Sequence, residues 1–320
     1  MKKFILLITI AIILAVSTLG WSNIMMRINL FARGAALIDG ETGELLFSKH
    51  GDRKLYPAST TKVLTALIVV ENLDLDDVVV VGDEVKLIAD DSSKAGIKVG
   101  ESYTVKDLLM GLMLVSGNDA ANTLAVHTAR QINGNGSNMN IDQSIGYFVN
   151  LMNERARELG AQNSHFANPH GYHDANHYTT ACDMTLITKA ALSHSIIAEI
   201  GSTDRYEVKG LKWTNTNYMV VEGSTGYYEF ATGLKTGHTS QAKYCLVTTA
   251  SKGGRELISV ILKSNSKGRW KDARALMDYG FGEKNINTYK LQAIGEIIKE
   301  FFTLKLLSND SYYLLLNPNV

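Results

Sequence analysis

Tyr56-Pro57-Ala58-Ser59-Thr60-Thr61-Lys62 opens a run, residues 60–73, whose apolar side chains are dense enough for a buried helix. Ser59 then stands where the predicted helix begins. Lys62 lies three residues on, one turn along the same face. Backbone N–H groups at a helix start lack intrahelical partners and can hold a developing oxyanion. An amine within reach of a hydroxyl can remove its proton, the Ser-Lys version of nucleophilic catalysis. S-x-x-K alone is a weak signal. Ser240-Gln241-Ala242-Lys243 and Ser264-Asn265-Ser266-Lys267 match it too. The first leads into a strand, the second straddles a strand end and a helix start, and neither opens a long apolar helix.

Outward from this stretch, residues 35–39 and 44–48 flank a Gly-Glu-Thr-Gly turn and predict a hairpin. Residues 78–81 suit a short strand. Thr104 and Asp107 form a capping box opening an apolar helix to Val115, and a second helix follows over 119–130. Residues 133–140 are a Gly/Asn loop. An amphipathic helix over 142–159 is stopped by Gly160, and 163–178 reads as a long ordered loop before a helix at 180–192. From Tyr206 the pattern turns to strands. Residues 244–250 and 257–263, joined by Ser251-Lys252-Gly253-Gly254, predict a second hairpin, and 266–279 a helix. Strands at both ends with helices between them predict one sheet built from both chain ends and a helical lobe inserted between.

Composition sets the bounds. The chain has 320 residues, with 32 basic groups offsetting 32 acidic ones, 45% hydrophobic and 20% charged residues. That is a folded, enzyme-sized profile. Charge balance argues against nucleic acid as a partner, because phosphate binding needs a basic excess. Cys182 and Cys245 cannot build a disulfide framework and are not spaced as a zinc site; whether they bridge each other stays open. Lys2 and Lys3 precede an apolar run over 4–16, the pattern of a secretory signal, with Ala15-Val16-Ser17 as a cleavage site. Counted to Trp21 the run reaches about 18 residues, the lower limit for a membrane span, so an uncleaved anchor is the alternative. Either implies export.

Two further triplets give the serine a context. Ser116-Gly117-Asn118 lies at the junction of two predicted helices, and Lys235-Thr236-Gly237 stands just before a predicted strand. Each alone suits a cap or a turn. S-x-x-K with S-D-N and K-T-G is the signature of class A β-lactamases and penicillin-binding proteins, and all three elements occur here in that order, with Gly117 in the middle of the second.

With these residues in place the sequence resembles the low-molecular-mass penicillin-binding proteins, serine-type D-Ala-D-Ala carboxypeptidases. The likeness spans residues 33–285. It extends to Ser116-Gly117-Asn118-Asp119-Ala120-Ala121, Phe166-Ala167-Asn168-Pro169-His170-Gly171, Gly233-Leu234-Lys235-Thr236-Gly237-His238-Thr239, and Asp272-Ala273-Arg274 through Tyr279-Gly280-Phe281. It implies a β-lactamase/transpeptidase-like α+β fold, with a five-stranded antiparallel sheet flanked by helices and an all-helical lobe. The expected organisation is an export segment or anchor at 1–27, a catalytic domain at 28–285 and a short extension at 286–320, the remnant of a β-rich domain.

The resemblance also assigns roles. Ser59 is the nucleophile, Lys62 its base, and Ser116 relays the proton to the leaving amine. Asn118 binds the substrate amide, and the N–H groups of Ser59 and His238 form the oxyanion hole. Lys235, Thr236 and Thr239 attract the terminal carboxylate beside Gly237, with Arg269 as a further carboxylate partner. Substrate is then the pentapeptide stem of peptidoglycan, β-lactams are inhibitors, and neither cofactor nor metal is required. His165, His170, His173 and His177 crowd one loop and invite a metal reading, which no H-e-x-x-H type spacing supports; in the resembled family this loop is structural. The E-x-x-L-N stretch that class A β-lactamases use for deacylation is absent, Glu154 and Glu158 reading as an ordinary helix surface. A β-lactamase of the same fold is therefore the alternative function, and a non-hydrolytic penicillin-binding or muropeptide-sensing module a third.

Overall fold

Gly34–Asp39 (β1) and Leu45–Lys49 (β2) pair as the expected antiparallel hairpin, its turn closed by Asp39 Oδ1, which accepts from the backbone and hydroxyl of Thr42. The computed structural model describes residues 28–134 and 138–282; the basic-apolar segment 1–27 and the extension 286–320 lie outside the described residues. Beyond β2 the chain enters a 3-10 turn, Ala58–Thr61, continuous with helix α1, Lys62–Asn72. Buried residues fill α1 at eight successive positions from Lys62 to Val69. A helix with no polar face belongs at the centre of a domain.

Val78–Val80 (β3) and Ser102–Thr104 (β4) form a small antiparallel pair. Then come α2, Val105–Met113, and α3, Asn118–Ile132, with α2 started by the expected Thr104/Asp107 capping box. Helix α4, Ile141–Glu158, has a second capping box, Asn140 with Gln143, and the chain leaves it through Gly160 at φ +83°. α5, Ala181–Leu192, and α6, Ser195–Ser202, lead to a hairpin of β5, Arg205–Val208, and β6, Leu211–Thr214. β7, Ala231–Thr239, β8, Lys243–Lys252, and β9, Arg255–Ser264, complete the strands, and α7, Gly268–Gly280, follows.

The main sheet runs β2-β1-β9-β8-β7, antiparallel at every junction. Strands from both chain ends thus meet at the β1–β9 seam, as their order in the sequence requires. β8 and β9 are each buried at six successive positions, so both faces of the sheet are covered. α5, α6 and α7 are helices packed against it. Leu30–Phe281 make one compact unit by their contacts. No helix among the described residues is long and apolar enough to cross a membrane.

Two expectations change. Lys235-Thr236-Gly237 lies inside β7 and not before a strand; glycines at 233 and 237 and the charge at 235 mask the strand pattern. Helix α6 was not legible because it is only eight residues long.

Asp272 on α7 locks the seam. Its buried carboxylate accepts the N–H groups of Phe31 and Ala32 (2.8 and 2.9 Å) and the hydroxyl of Ser264 (2.8 Å). Asp272→Ala strands three donors. Thermal or urea unfolding is expected to show a loss of about 2–4 kcal/mol, the range for breaking a buried charged network; a loss within about 0.5 kcal/mol would contradict this role.

Candidate active site

Ser59 sits half-buried in the 3-10 turn ahead of α1, where two hydroxyls brace the backbone. Thr60 Oγ1 donates to Pro57 O and Thr61 Oγ1 to Ala58 O, each at 2.8 Å. Ala58 is held at φ +50°, a strained value for a residue with a Cβ. His177 reinforces the turn from the 163–178 loop. Its Nδ1 accepts the Ala167 N–H (3.1 Å), so Nε2 carries the proton and donates to Thr61 Oγ1 at 2.8 Å. Burial pushes this imidazole down to about 3 and keeps it neutral. Gly171 packs so closely on the turn that a Cβ there would lie 1.9 Å from Ala58 O. The strain at the nucleophile is over-determined by this loop.

Lys62 is fully buried, and its Nζ has three oxygen neighbours: Ser59 Oγ at 3.1 Å, Asn118 Oδ1 at 2.7 Å and His170 O at 2.8 Å. Burial first, and repulsion from Lys235 second, hold its amine well below the ordinary lysine value, with Asp119 opposing weakly. A neutral amine has two N–H bonds and one lone pair. With Asn118 and His170 offering only acceptors, the lone pair faces the Ser59 hydroxyl. That is the geometry of a general base.

Ser116 occupies the turn between α2 and α3 at φ +62°, and its buried Oγ has no hydrogen-bond partner among the described residues. Gly117 is required beside it, since a Cβ would come within 2.7 Å of Ala95 Cβ and of Asp119 Oδ1. Asn118 spends its side-chain oxygen on Lys62, which leaves the amide N–H groups free to donate towards the cleft.

β7 forms the facing wall as the sheet's edge strand. Gly237 makes its approach possible: a Cβ there would meet Pro57 O at 2.9 Å and the backbone nitrogens of Ser59 and Thr60 at 3.1 Å. Lys235 is fully buried, lowered to about 7 by burial and by the charge of Arg269. Thr236 Oγ1 lies 2.9 Å from Thr216 Oγ1, and Thr239 Oγ1 accepts from Ala242 N–H. Arg269 at the start of α7 stacks on the rings of Tyr244 (4.8 Å) and Trp270 (4.3 Å), and its buried Nε lacks a partner among the described residues.

Ser59, Ser116, Asn118, Thr236, Gly237, His238, Thr239 and Arg269 line one cleft of about 560 Å³, with Lys62 and Lys235 buried behind it. The size suits a short peptide. The catalytic and binding residues singled out in S-x-x-K and the two triplets are thus brought together, and Arg269 lies with them. Sequence reasoning missed Asp91, Ser92, Ser93, Tyr172 and Thr216, which also line the cleft. Tyr172 directly follows the 166–171 motif, and the other four belong to segments without a motif of their own. Neither Glu154 nor Glu158 reaches it; both are exposed on α4, and Glu158 pairs with Arg155. The loop imidazoles are engaged separately: His177 on Thr61, His170 Nδ1 accepting Tyr172 N–H, His165 Nδ1 on Asn176 O and His173 edge-on to Tyr56. Both cysteines are free thiols, Cys245 buried in β8 and Cys182 on α5.

A family model described as D-alanyl-D-alanine carboxypeptidase, peptidase S11, matches residues 23–266. The D-alanyl-D-alanine carboxypeptidase DacF of Bacillus subtilis is 34% identical over 259 residues, 79% of this chain and 62% of the relative, so the chain spans about three-fifths of that protein's length. The D-alanyl-D-alanine carboxypeptidase of Streptomyces sp. K15 is 34% identical over 291 residues, 86% of this chain and 96% of the relative. The crystal structure of the Streptomyces K15 DD-transpeptidase superposes with a TM-score of 0.72 at 34% identity, covering 79% of this chain and 98% of that one.

Proposed function

The chain belongs to the D-alanyl-D-alanine carboxypeptidase family, peptidase S11, and from that premise we propose that it removes the terminal D-alanine from peptidoglycan pentapeptide stems through an acyl-enzyme on Ser59. One observation carries this reading: a buried, depressed lysine amine 3.1 Å from the hydroxyl of a serine at a helix start.

Lys62 takes the Ser59 proton as Oγ attacks the carbonyl carbon of the penultimate D-Ala. Negative charge builds on the carbonyl oxygen, which the N–H groups of Ser59 and His238 receive. Collapse of this intermediate breaks the C–N bond, and the leaving amine takes its proton through Ser116, which lines the cleft with Asn118 and whose Oγ has no other partner among the described residues. Water then attacks the ester by the reverse proton route and frees Ser59. Asn118 donates to the substrate's amide carbonyl, and Lys235, Thr236, Thr239 and Arg269 hold the terminal carboxylate, Arg269 through its bidentate fork. β-Lactams acylate the same serine. Among the described residues no glutamate lines the cleft to speed deacylation, which favours a peptidase over a β-lactamase. The N-terminal segment, residues 1–27, with Lys2 and Lys3 ahead of an apolar run, supports export to the outer face of the membrane, where peptidoglycan lies, as a cleaved signal or a retained anchor.

Diacetyl-L-Lys-D-Ala-D-Ala is the direct substrate test: D-Ala is released, and a folded enzyme that releases none contradicts the reading. The pH profile of kcat/KM carries the electrostatics. Lys62 must be neutral and Lys235 charged, and Lys62 loses its proton first because burial, and then repulsion from Lys235, hold its amine well below the ordinary lysine value. Activity therefore rises as Lys62 deprotonates and falls as Lys235 does, with an alkaline limb near 7 in the free enzyme. Lys235→Arg shifts that limb upward, since a guanidinium keeps its charge. An unmoved limb would assign it to another group.

A further inference from the structure

Opposite the β7 wall, the cleft is built from the segment around Asp91 and from the 163–178 loop just past its 166–171 motif, and the charges differ there. Asp91 is the one carboxylate among the described residues that line the cleft. Tyr172 Oη, from the 163–178 loop, donates to Asp91 Oδ1 at 2.9 Å, leaving Oδ2 open to another donor. Among the described residues no cation pairs with Asp91. Its segment is anchored rather than loose: Ser93 O accepts the Asn118 N–H, the Asp119 carboxylate accepts the N–H groups of Ala95 and Gly96 (2.7 and 2.8 Å), and Trp213 Nε1 donates to Ala95 O (2.8 Å). The partner segment is equally fixed, with Tyr172 N–H on His170 Nδ1 and Tyr172 O on Asn168 Nδ2. An acidic group is thus held between two segments on one side of a cleft whose other side carries Lys235 and Arg269.

Resting on the carboxypeptidase reading, we propose that Asp91, oriented by Tyr172, is a subsite for a side-chain ammonium on the substrate residue that precedes the D-Ala-D-Ala pair. The polarity of the cleft sets the direction. The terminal carboxylate is drawn to Lys235, Thr236, Thr239 and Arg269, and the scissile carbonyl sits at Ser59. The upstream residue leaves on the side away from those cations, one residue or about 3.5 Å further along an extended chain. A diamino acid there places its ammonium at the end of a flexible stem, which suits an exposed carboxylate at the rim. Asp91 sets which stem is preferred and takes no part in the bond-making steps.

The test compares two peptides on the full chain: Nα-acetyl-L-Lys-D-Ala-D-Ala, with a free side-chain ammonium, and the diacetyl form, without one. The wild type is expected to prefer the free ammonium by about fivefold in kcat/KM at low salt, the scale of an exposed ion pair, and the preference shrinks as salt rises. Asp91→Asn brings the ratio to about one, and Asp91→Lys takes it below one. Equal rates on both peptides in the wild type, or a preference that survives Asp91→Asn, would overturn the subsite while D-Ala release still upheld the carboxypeptidase reading. No release from either peptide would overturn both.

Discussion

Lys62→Met is expected to slow acylation of Ser59 by benzylpenicillin about 10²- to 10⁴-fold, the span a positioned general base contributes. Methionine keeps the length and apolar stem of lysine but cannot accept a proton. The loss should be chemical more than structural. Met removes the cost of burying an amine at a fully enclosed site, and against that it leaves Asn118 Oδ1 and His170 O without their donor. A melting temperature near that of the wild type, with acylation nearly abolished, is the expected pair of results. Time-resolved intact mass measurements read the rate directly. Acylation within about tenfold of wild type would move the proton acceptor away from Lys62.

Gly237→Val should be nearly as severe, for a steric reason. The three atoms that its Cβ would meet within 3.1 Å are all backbone, of Pro57, Ser59 and Thr60. None can rotate aside, so β7 must retreat from the nucleophile turn. A displacement of about 1 Å at reacting groups costs on the order of 10²-fold. D-Ala release and penicillin acylation should fall together by that factor or more. Gly146→Ala is the matched control: this glycine lies in α4 with nothing within 4 Å of a new Cβ, and helix propensity favours alanine there. Unchanged activity in Gly237→Val would mean that β7 does not need to touch the turn.

The architecture was readable where local chemistry and long-range need agree. The 104–107 capping box, the Gly253-Gly254 turn and the apolar density of residues 60–73 each dictate an element, and their order dictates a sheet shared by the chain ends. Elements failed where function overrides pattern. β7 buries a lysine and spaces glycines for close approach, so it does not look like a strand. The triplets were legible because Ser-Lys chemistry needs fixed spacing within one turn of helix. The cleft's other wall was not. Asp91 and Thr216 reach the site only through tertiary contacts, such as the hold of Asp119 on Ala95 and Gly96, and nothing local marks them. His177 shows the same limit: one of four histidines in a loop, it is singled out only by its buried bond to Thr61.

The most direct test of Ser59 as nucleophile is intact mass spectrometry of the wild type and Ser59→Ala after incubation with benzylpenicillin. One penicillin per chain is expected on the wild type and none on the variant, with both proteins folded by their melting curves. An adduct that persists in Ser59→Ala, or a folded wild type that takes up none, would contradict the account.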